Sequence, residues 1–468
     1  MAKSKSILGD ERLEVPHGKL LKAMVLKQDV VLRNLGSNRT EEVVFGRFLS
    51  NPRITPSNIV SQYWASHPVS WAGKHLLIVG DTTTASFGLF PNRSGLGYLG
   101  KGKTTEGFHL HSALVMNAVG ASCCGLGAVH AYITAEKDAE TKALRRKNTW
   151  KIPFKEKERY KWYSVAEEAI RNCPGAARYT IVGDRESDIY DVYARIRGKN
   201  WDFVSRLARD RRVDNVDEPT LYANLAEWPV QHSYELKLPA TKKRSAHKAT
   251  LDLKFGSAQL LRPAGHPDKN LPASLPVFAV EVKEQSSTVV GNEKPIHWML
   301  ITSHEVKTVE QAMQIVRWYI ERWTIEQTFR TLKSEGLDIE NSEVETFEAL
   351  ANLATMALIA ATQVMQLVKA RDGQTDQNIE EAFTAQEIEC IHQLNTQVEG
   401  KTDKLKNPYP KNSLAFASWV IARLGGWSGY VKAQRPPGPI TMLNGMLRFY
   451  NILYGFVMRS QHVKELAK

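Results

Sequence analysis

TVEQAMQIVRWYIERWTIEQTFRTLKSE, residues 308–335, contains neither proline nor glycine and opens on Thr308-x-x-Gln311, a capping-box helix start. Read as one helix at about 100° per residue, it sets Tyr319, Arg322, Glu326, Arg330 and Lys333 within about 80° of arc. Ile315, Trp318, Ile325 and Phe329 flank that arc on one side, and Val316, Ile320 and Trp323 on the other. The remaining face, with Arg317, Glu321 and Thr328, reads as solvent-facing. An ordinary surface helix sets its polar residues opposite its apolar ones. A polar stripe between two apolar flanks instead predicts one carboxylate and three cations on the floor of a cleft. The plainer alternative is a helix laced by the i,i+4 pairs Arg322–Glu326 and Glu326–Arg330, each worth about 0.3–0.5 kcal/mol. The doubled apolar flank favours the cleft.

Upstream, HLLIVG (75–80) is a short continuous apolar run of the kind that forms a buried central strand, ended by Asp81 and three threonines. HLHSALVMNAV (109–119) and CCGLGAVHAYIT (123–134) read as two more strands joined by a tight turn. A helix at 163–172 leads to a second buried strand, RYTIVG (178–183), which ends at Asp184. A helix at 188–197 and the strand WDFVSRLA (201–208) follow. Strands followed by alternating helices and strands predict a mixed α/β sheet with a parallel portion. Residues 209–297 look inserted: Tyr234, Leu236, Leu238 and Leu251, Leu253, Phe255 alternate as in antiparallel strands, with PVFAVEV and HWMLITS after them. The cluster Lys242, Lys243, Arg244 falls at an expected turn.

At the chain's two ends the pattern is helical. Residues 1–60 carry basic residues throughout (Arg12, Lys19, Lys22, Lys27, Arg33, Arg39, Arg47, Arg53), with a helix starting at Thr40 and a stop at Asn51-Pro52. Residues 345–368 and 440–458 are apolar-rich helices that read as a packing or dimerisation module. The expected domains are 1–65, a helical bundle with a solvated charged surface or a DNA-binding head; 66–344, the sheet core with its β-rich insertion at about 209–300; and 345–468, helical and packing or dimerising.

Among 468 residues the net charge is +12, which makes a polyanion the expected large partner. The four cysteines show no CxxC spacing, so neither a zinc module nor a disulfide framework is expected, and a reducing compartment fits. MAKSKSILGDERLEV has no apolar run of the signal-peptide kind, and the 350–368 run is interrupted by Asn352, Gln363 and Gln366, as in a buried core helix. GYLGKGKT (97–104) matches the phosphate-binding GxxxxGK[ST] pattern, but no helix starts after it, so it reads as a glycine-rich hairpin loop. His109 and His111 share a strand face without a nearby third ligand and read as packing or hydrogen-bonding residues. Residues 142–161 form a basic loop that would contribute a salt-dependent term beside a nucleic acid.

Asp81 and Asp184 each end a buried strand, and Glu326 lies on the helix far downstream. Oxygen-rich clusters of this kind suit Mg²⁺ or Mn²⁺. Two such ions about 3.5–4 Å apart can serve phosphoryl transfer. Plainer roles compete: Asp184 as the cap of the following helix, Asp81 as a turn residue with Thr82, and Asp188 in place of Asp184 as ligand.

The pattern Tyr-x₂-Arg-x₃-Glu-x₆-Lys at Tyr319, Arg322, Glu326 and Lys333, with Asp81 in DTT and Asp184 in GDRESDIY, resembles the bacterial cut-and-paste DDE transposases of the insertion-sequence-four group, the branch that includes the enzyme of the kanamycin-resistance transposon. GRFLSNP (46–52) and IARLGG (421–426) extend the resemblance over nearly the whole chain. It implies an RNase H-like core interrupted by a β-rich insertion, a cytoplasmic bacterial protein, and a homodimer holding double-stranded DNA. By position, it implies that Asp81, Asp184 and Glu326 hold Mg²⁺ and that Tyr319, Arg322 and Lys333 grip phosphates. Arg330 and Arg206 are further phosphate candidates, and Trp298 is the platform for a flipped base. The implied reaction nicks one strand, forms a hairpin on the other, reopens it and joins the end to target DNA. A structure-specific nuclease on the same fold and a DNA-binding regulator without catalysis are the rival readings. The head segment LGDERLEVPHGKL (8–20) departs from the pattern by carrying Pro16 where a continuous basic helix is expected.

Overall fold

The computed structural model describes residues 7–466 except 68, 89–92, 101–103, 135–150, 239, 241–243, 334–335 and 431–435, and of 456–466 the backbone alone. Four helices come first: α1 (Glu11–Lys27), α2 (Leu32–Leu35), α3 (Arg39–Leu49) and α4 (Pro56–Ser66). Asp10 caps α1 by accepting from the Arg12 amide, and the helix runs through Pro16 without ending. Asn38, not Thr40, starts α3, because its side chain takes the Glu41 amide.

The core strands are β1 (His75–Gly88), β2 (Gly97–Tyr98), β3 (Glu106–Asn117), β4 (Cys123–Tyr132), β5 (Arg178–Gly183) and β6 (Trp201–Arg206). β1, β5 and β6 run parallel in that order, β3 runs antiparallel to β1, and β4 antiparallel to β3. One reversed strand among parallel ones, in the order β4-β3-β1-β5-β6, is the RNase H-like arrangement. β1 does not stop at Asp81. Its threonines continue the ladder with β3 (Thr82 opposite His111, Thr84 opposite His109), as β-branched residues favour. The parallel pairing with β5, in contrast, ends at Val79 opposite Val182.

Helices α5 (Lys161–Asn172) and α6 (Tyr190–Ile196) connect the parallel strands, and α7 (Leu221–Glu227) opens the insertion. The inserted strands β7 (His232–Leu238), β8 (His247–Leu261) and β9 (Ser274–Glu284) form no separate sheet. Through β10 (His297–Thr302), which pairs with both β9 and β6, they extend the core to ten strands. Leu99 bonds back to Thr105 and β2 pairs with the start of β3, so a strand follows the glycine-rich loop, whose residues 101–103 lie outside the described residues. The predicted basic stretch at 142–150 and the pair Lys242, Lys243 also lie outside them.

The 308–335 stretch is not one helix. It forms α8 (Val309–Ile320), with the Thr308–Gln311 capping box in place, and α9 (Trp323–Leu332). Between them the amides of Arg322, Thr324 and Ile325 bond three residues back, to Tyr319, Glu321 and Arg322, a 3₁₀ turn in mid-helix. Of the expected outer face only Arg317 is exposed: Thr328 is fully buried and Glu321 is held by Lys369 at 2.5 Å, whereas Trp323, placed on an apolar flank, is 48% exposed.

α10 (Phe347–Ala370) is buried along nearly its whole length against β4, α4 and α1. By length and composition it could cross a membrane, but its most apolar window is 94% buried in the protein. The Asn352 amide donates to the carbonyls of Leu49 (2.9 Å) and Ile54 (3.0 Å), tying the first helices to it. α11 (Ala385–Val398), α12 (Leu414–Leu424) and α13 (Pro439–Leu466) complete an apolar core continuous with that of the sheet. All four cysteines are free.

Candidate active site

Ile-Val-Gly-Asp occurs twice, at 78–81 and 181–184. The sheet register sets the two copies side by side, Ile78 opposite Ile181 and Val79 opposite Val182. The next residues in line are glycines, for a steric reason. A Cβ on Gly80 would stand 3.0 Å from the Trp162 ring, and one on Gly183 would stand 2.6 Å from it and 2.4 Å from Ser187 Cβ. Buried Trp162, from α5, thus lies across both strands on one face of the sheet. Side chains alternate along a strand, so Asp81 and Asp184 project to the other face, toward α8 and α9.

There Asp81 meets the interrupted helix. Arg322 donates from Nη1 to Asp81 Oδ2 at 3.2 Å and to Glu326 Oε1 at 2.5 Å. The three side chains are 11%, 18% and 30% exposed for Arg322, Asp81 and Glu326. Arg322 Nε is buried and has no hydrogen-bond partner among the described residues. Burial pushes the Asp81 carboxyl up to about 6, with repulsion from Asp184 and Glu326 adding to it, against the Thr82 amide and Arg322. All three acids therefore share one electrostatic neighbourhood. The Arg322 guanidinium is shifted up by its acidic neighbours and Tyr319, against the cost of burial.

The plainer roles are also filled, by one oxygen of each aspartate. Asp81 Oδ1 accepts from the Thr82 amide at 2.7 Å, and Asp184 Oδ1 accepts from the Glu186 amide at 2.8 Å, capping a single 3₁₀ turn at Arg185–Ser187. Asp188 does not compete. Its carboxylate is wholly buried, paired with Arg211 (Nε to Oδ1 3.0 Å) and bonded by the Ala208 amide. That commitment also explains why the following helix starts at Tyr190 rather than 188. Among the described residues, no three His, Cys, Asp or Glu side chains gather closely enough to hold a metal ion. The donor set of hard carboxylate oxygens suits Mg²⁺ or Mn²⁺, but the space between Asp81 and Glu326 is taken by Arg322.

The other predicted residues are dispersed around this centre. Tyr319 is buried and meets Trp298 edge to face at 5.6 Å, so Trp298 is half-buried. Lys333 pairs with Glu340 at 3.7 Å, and Glu340 in turn accepts from the Ser86 amide of β1 at 3.0 Å. Arg206 donates to the His297 carbonyl at 2.8 Å. Arg330 is exposed. Sequence reading overlooked Trp162 and Glu340; the repeated Val-Gly-Asp was the available signal for the first, and Glu340 had none. His109 and His111 are hydrogen-bonded to the Thr134 and Thr82 hydroxyls at 3.1 and 2.8 Å.

Residues 164–363 match the family described as the transposase DDE domain. The matched span contains Asp184, Glu326 and the whole insertion and begins beyond Asp81, and it supports a DDE transposase reading of the chain. Among solved structures, the chain is similar to the piggyBac transposase in a synaptic complex with hairpin DNA, determined by cryo-electron microscopy, at 12% identity and a TM-score of 0.36. The alignment covers 78% of this chain and 66% of that one.

Proposed function

We propose that this protein is a cut-and-paste DNA transposase of the insertion-sequence-four type whose active acids are Asp81, Asp184 and Glu326. The observation that carries the reading is the meeting of Asp81 and Glu326 on Arg322, which lies 241 positions beyond Asp81, with Asp184 as electrostatic neighbour. The three carboxylates would hold Mg²⁺, with Mn²⁺ as a substitute. Such ions, when bound, favour the attacking oxygen and the charge on the leaving one.

The protein's own groups have the remaining tasks. Arg322, Tyr319 and Lys333 grip phosphates next to the scissile bond, with Arg330 and Arg206 alongside; for Lys333 this means exchanging Glu340 for a phosphate. Half-buried Trp298 is the platform for a base turned out of the duplex, where stacking recovers about 1–3 kcal/mol of the unstacking cost. Water opens one strand at the element's end. The freed 3′-hydroxyl attacks the opposite strand, releasing the flank and closing a hairpin, which water reopens before the end is joined to target DNA. Residues 1–65 recognise the ends and 345–468 pair two protomers, so each end is cut within a homodimer on double-stranded DNA.

Precleaved ends with free 3′-hydroxyls, supplied with Mg²⁺ and a target plasmid, test the proposal. Joined products are expected. Hydrolysis without joining would make the protein a nuclease, and binding without either reaction would make it a regulator.

A further inference from the structure

We infer that Arg322 is an internal counter-ion standing in the cation's place between Asp81 and Glu326, so that metal loading requires its withdrawal and a DNA phosphate, by drawing it off, loads the metal. The inference rests on the transposase reading above. One guanidinium nitrogen bridges both acids, at 3.2 and 2.5 Å, in a setting where the arginine is nine-tenths buried. A divalent ion bound by the same two carboxylates and this guanidinium exclude each other, by charge and by space.

Three features make the arrangement a switch rather than a fixed ion pair. Buried Arg322 Nε has no partner among the described residues, so the guanidinium is incompletely satisfied by them where it stands, and a phosphate's several acceptor oxygens would satisfy it. Arg322 sits on the 3₁₀ turn that separates α8 from α9, the irregular backbone typical of a hinge, while its neighbour Glu321 is anchored by Lys369. Finally, the guanidinium lies 5.8 Å from the Tyr319 ring and 5.5 Å from the ring of exposed Trp323, so its route toward solvent is lined by an aromatic face that accommodates a cation. Phosphate binding at Arg322 and ion binding at the acids are then positively coupled, and by linkage each tightens the other equally. The protein keeps its acids neutralised until DNA is in place.

Isothermal titration of Mn²⁺ into the full-length protein tests this without any turnover. Arg322→Met keeps the length of the stem and removes the charge. It should bind Mn²⁺ at least tenfold more tightly than the wild type in the absence of DNA. Adding precleaved end duplex with a 3′-dideoxy terminus, which can be neither cut nor joined, should tighten Mn²⁺ binding to the wild type by a similar factor and leave Arg322→Met unchanged. Arg322→Lys, read in parallel in case the methionine variant does not fold, should fall between the two, because its ammonium keeps the charge on a stem that ends short of the place Nη1 occupies. Equal or weaker Mn²⁺ binding by the folded variants, with the wild type binding Mn²⁺ normally, would overturn the counter-ion role alone. Absence of Mn²⁺ binding in every form, DNA present or not, would overturn the acid centre itself.

Discussion

Replacing Asp81 by asparagine should stabilise the protein at alkaline pH. The folded carboxyl is pushed up to about 6 from 3.8, chiefly by burial. The native state therefore binds this proton more tightly than the unfolded chain, and stability falls as pH rises from about 4 through 6. The shift, at about 1.4 kcal/mol per unit, is worth about 3 kcal/mol of cost for keeping the ionised side chain in place above pH 6. Asparagine fits the same space, still accepts the Thr82 amide, and leaves Arg322 with Glu326. Asp81→Asn should thus unfold about 1–3 kcal/mol later than wild type at pH 8, the lower figure allowing for the lost Arg322 contact. The advantage should shrink to nothing or reverse at pH 4, where Asp81 is protonated. Chemical denaturation of both proteins at the two pH values in EDTA measures it. Adding Mn²⁺ at about 100 times its Kd should return about 2.7 kcal/mol to the wild type and little to the variant. A variant less stable than wild type by the same amount at both pH values would refute the reasoning. The carboxylate would then be an ordinary structural acid rather than one held at a cost for chemistry.

Other substitutions probe neighbouring parts of the argument. Glu326→Ala should abolish strand cleavage while end-bearing DNA still binds in a gel-shift assay; lost binding would mark Glu326 as structural. Lys333→Ala should lower the slope of log K against log salt by about 0.9, while Glu340→Gln, which releases Lys333 from its ion pair, should strengthen binding at low salt. If neither variant alters the titration, Lys333 does not touch phosphate. Gly183→Ala places a methyl group 2.4 Å from Ser187 Cβ and should cost about 1–3 kcal/mol in a denaturation experiment, with no such loss for an alanine at half-buried Gly438, where an added Cβ meets nothing within 4 Å. Asn352→Ala leaves two buried carbonyls unpaired and should cost about 1–3 kcal/mol; protection from proteolysis near Leu49 should fall with it.

Local pattern made much of this architecture readable. Apolar runs at 75–80 and 178–183 specify buried strands whatever surrounds them, and the capping box at Thr308 starts a helix by satisfying its own amides. Asp81, Asp184 and Glu326 stand out as candidates because a charged residue at the end of an apolar run, or within an apolar helix face, needs a reason to be there. Periodicity, however, treats a helix as an uninterrupted cylinder. It could not foresee the turn at 321–322, where tertiary contacts to Lys369 and Asp81 outweigh a helix-favouring sequence, nor the burial of Thr328 under α10. The preference for Asp184 over Asp188 rested on its place at the strand end; the pairing of Asp188 with Arg211, which arrives from beyond β6, had no local signal.

Sequence by itself determined the buried strands at 75–80 and 178–183, the helix start at Thr308 and the chemistry of the polar stripe, because those follow from spacing along the chain. Tertiary structure alone decided which acids share an electrostatic neighbourhood, since that depends on the parallel register of β1 with β5 and on Trp162 lying across two glycines. It alone decided, too, that Arg322 stands between two carboxylates rather than beside one: partner choice for a long charged side chain is a question of distance in space, to which no local pattern responds.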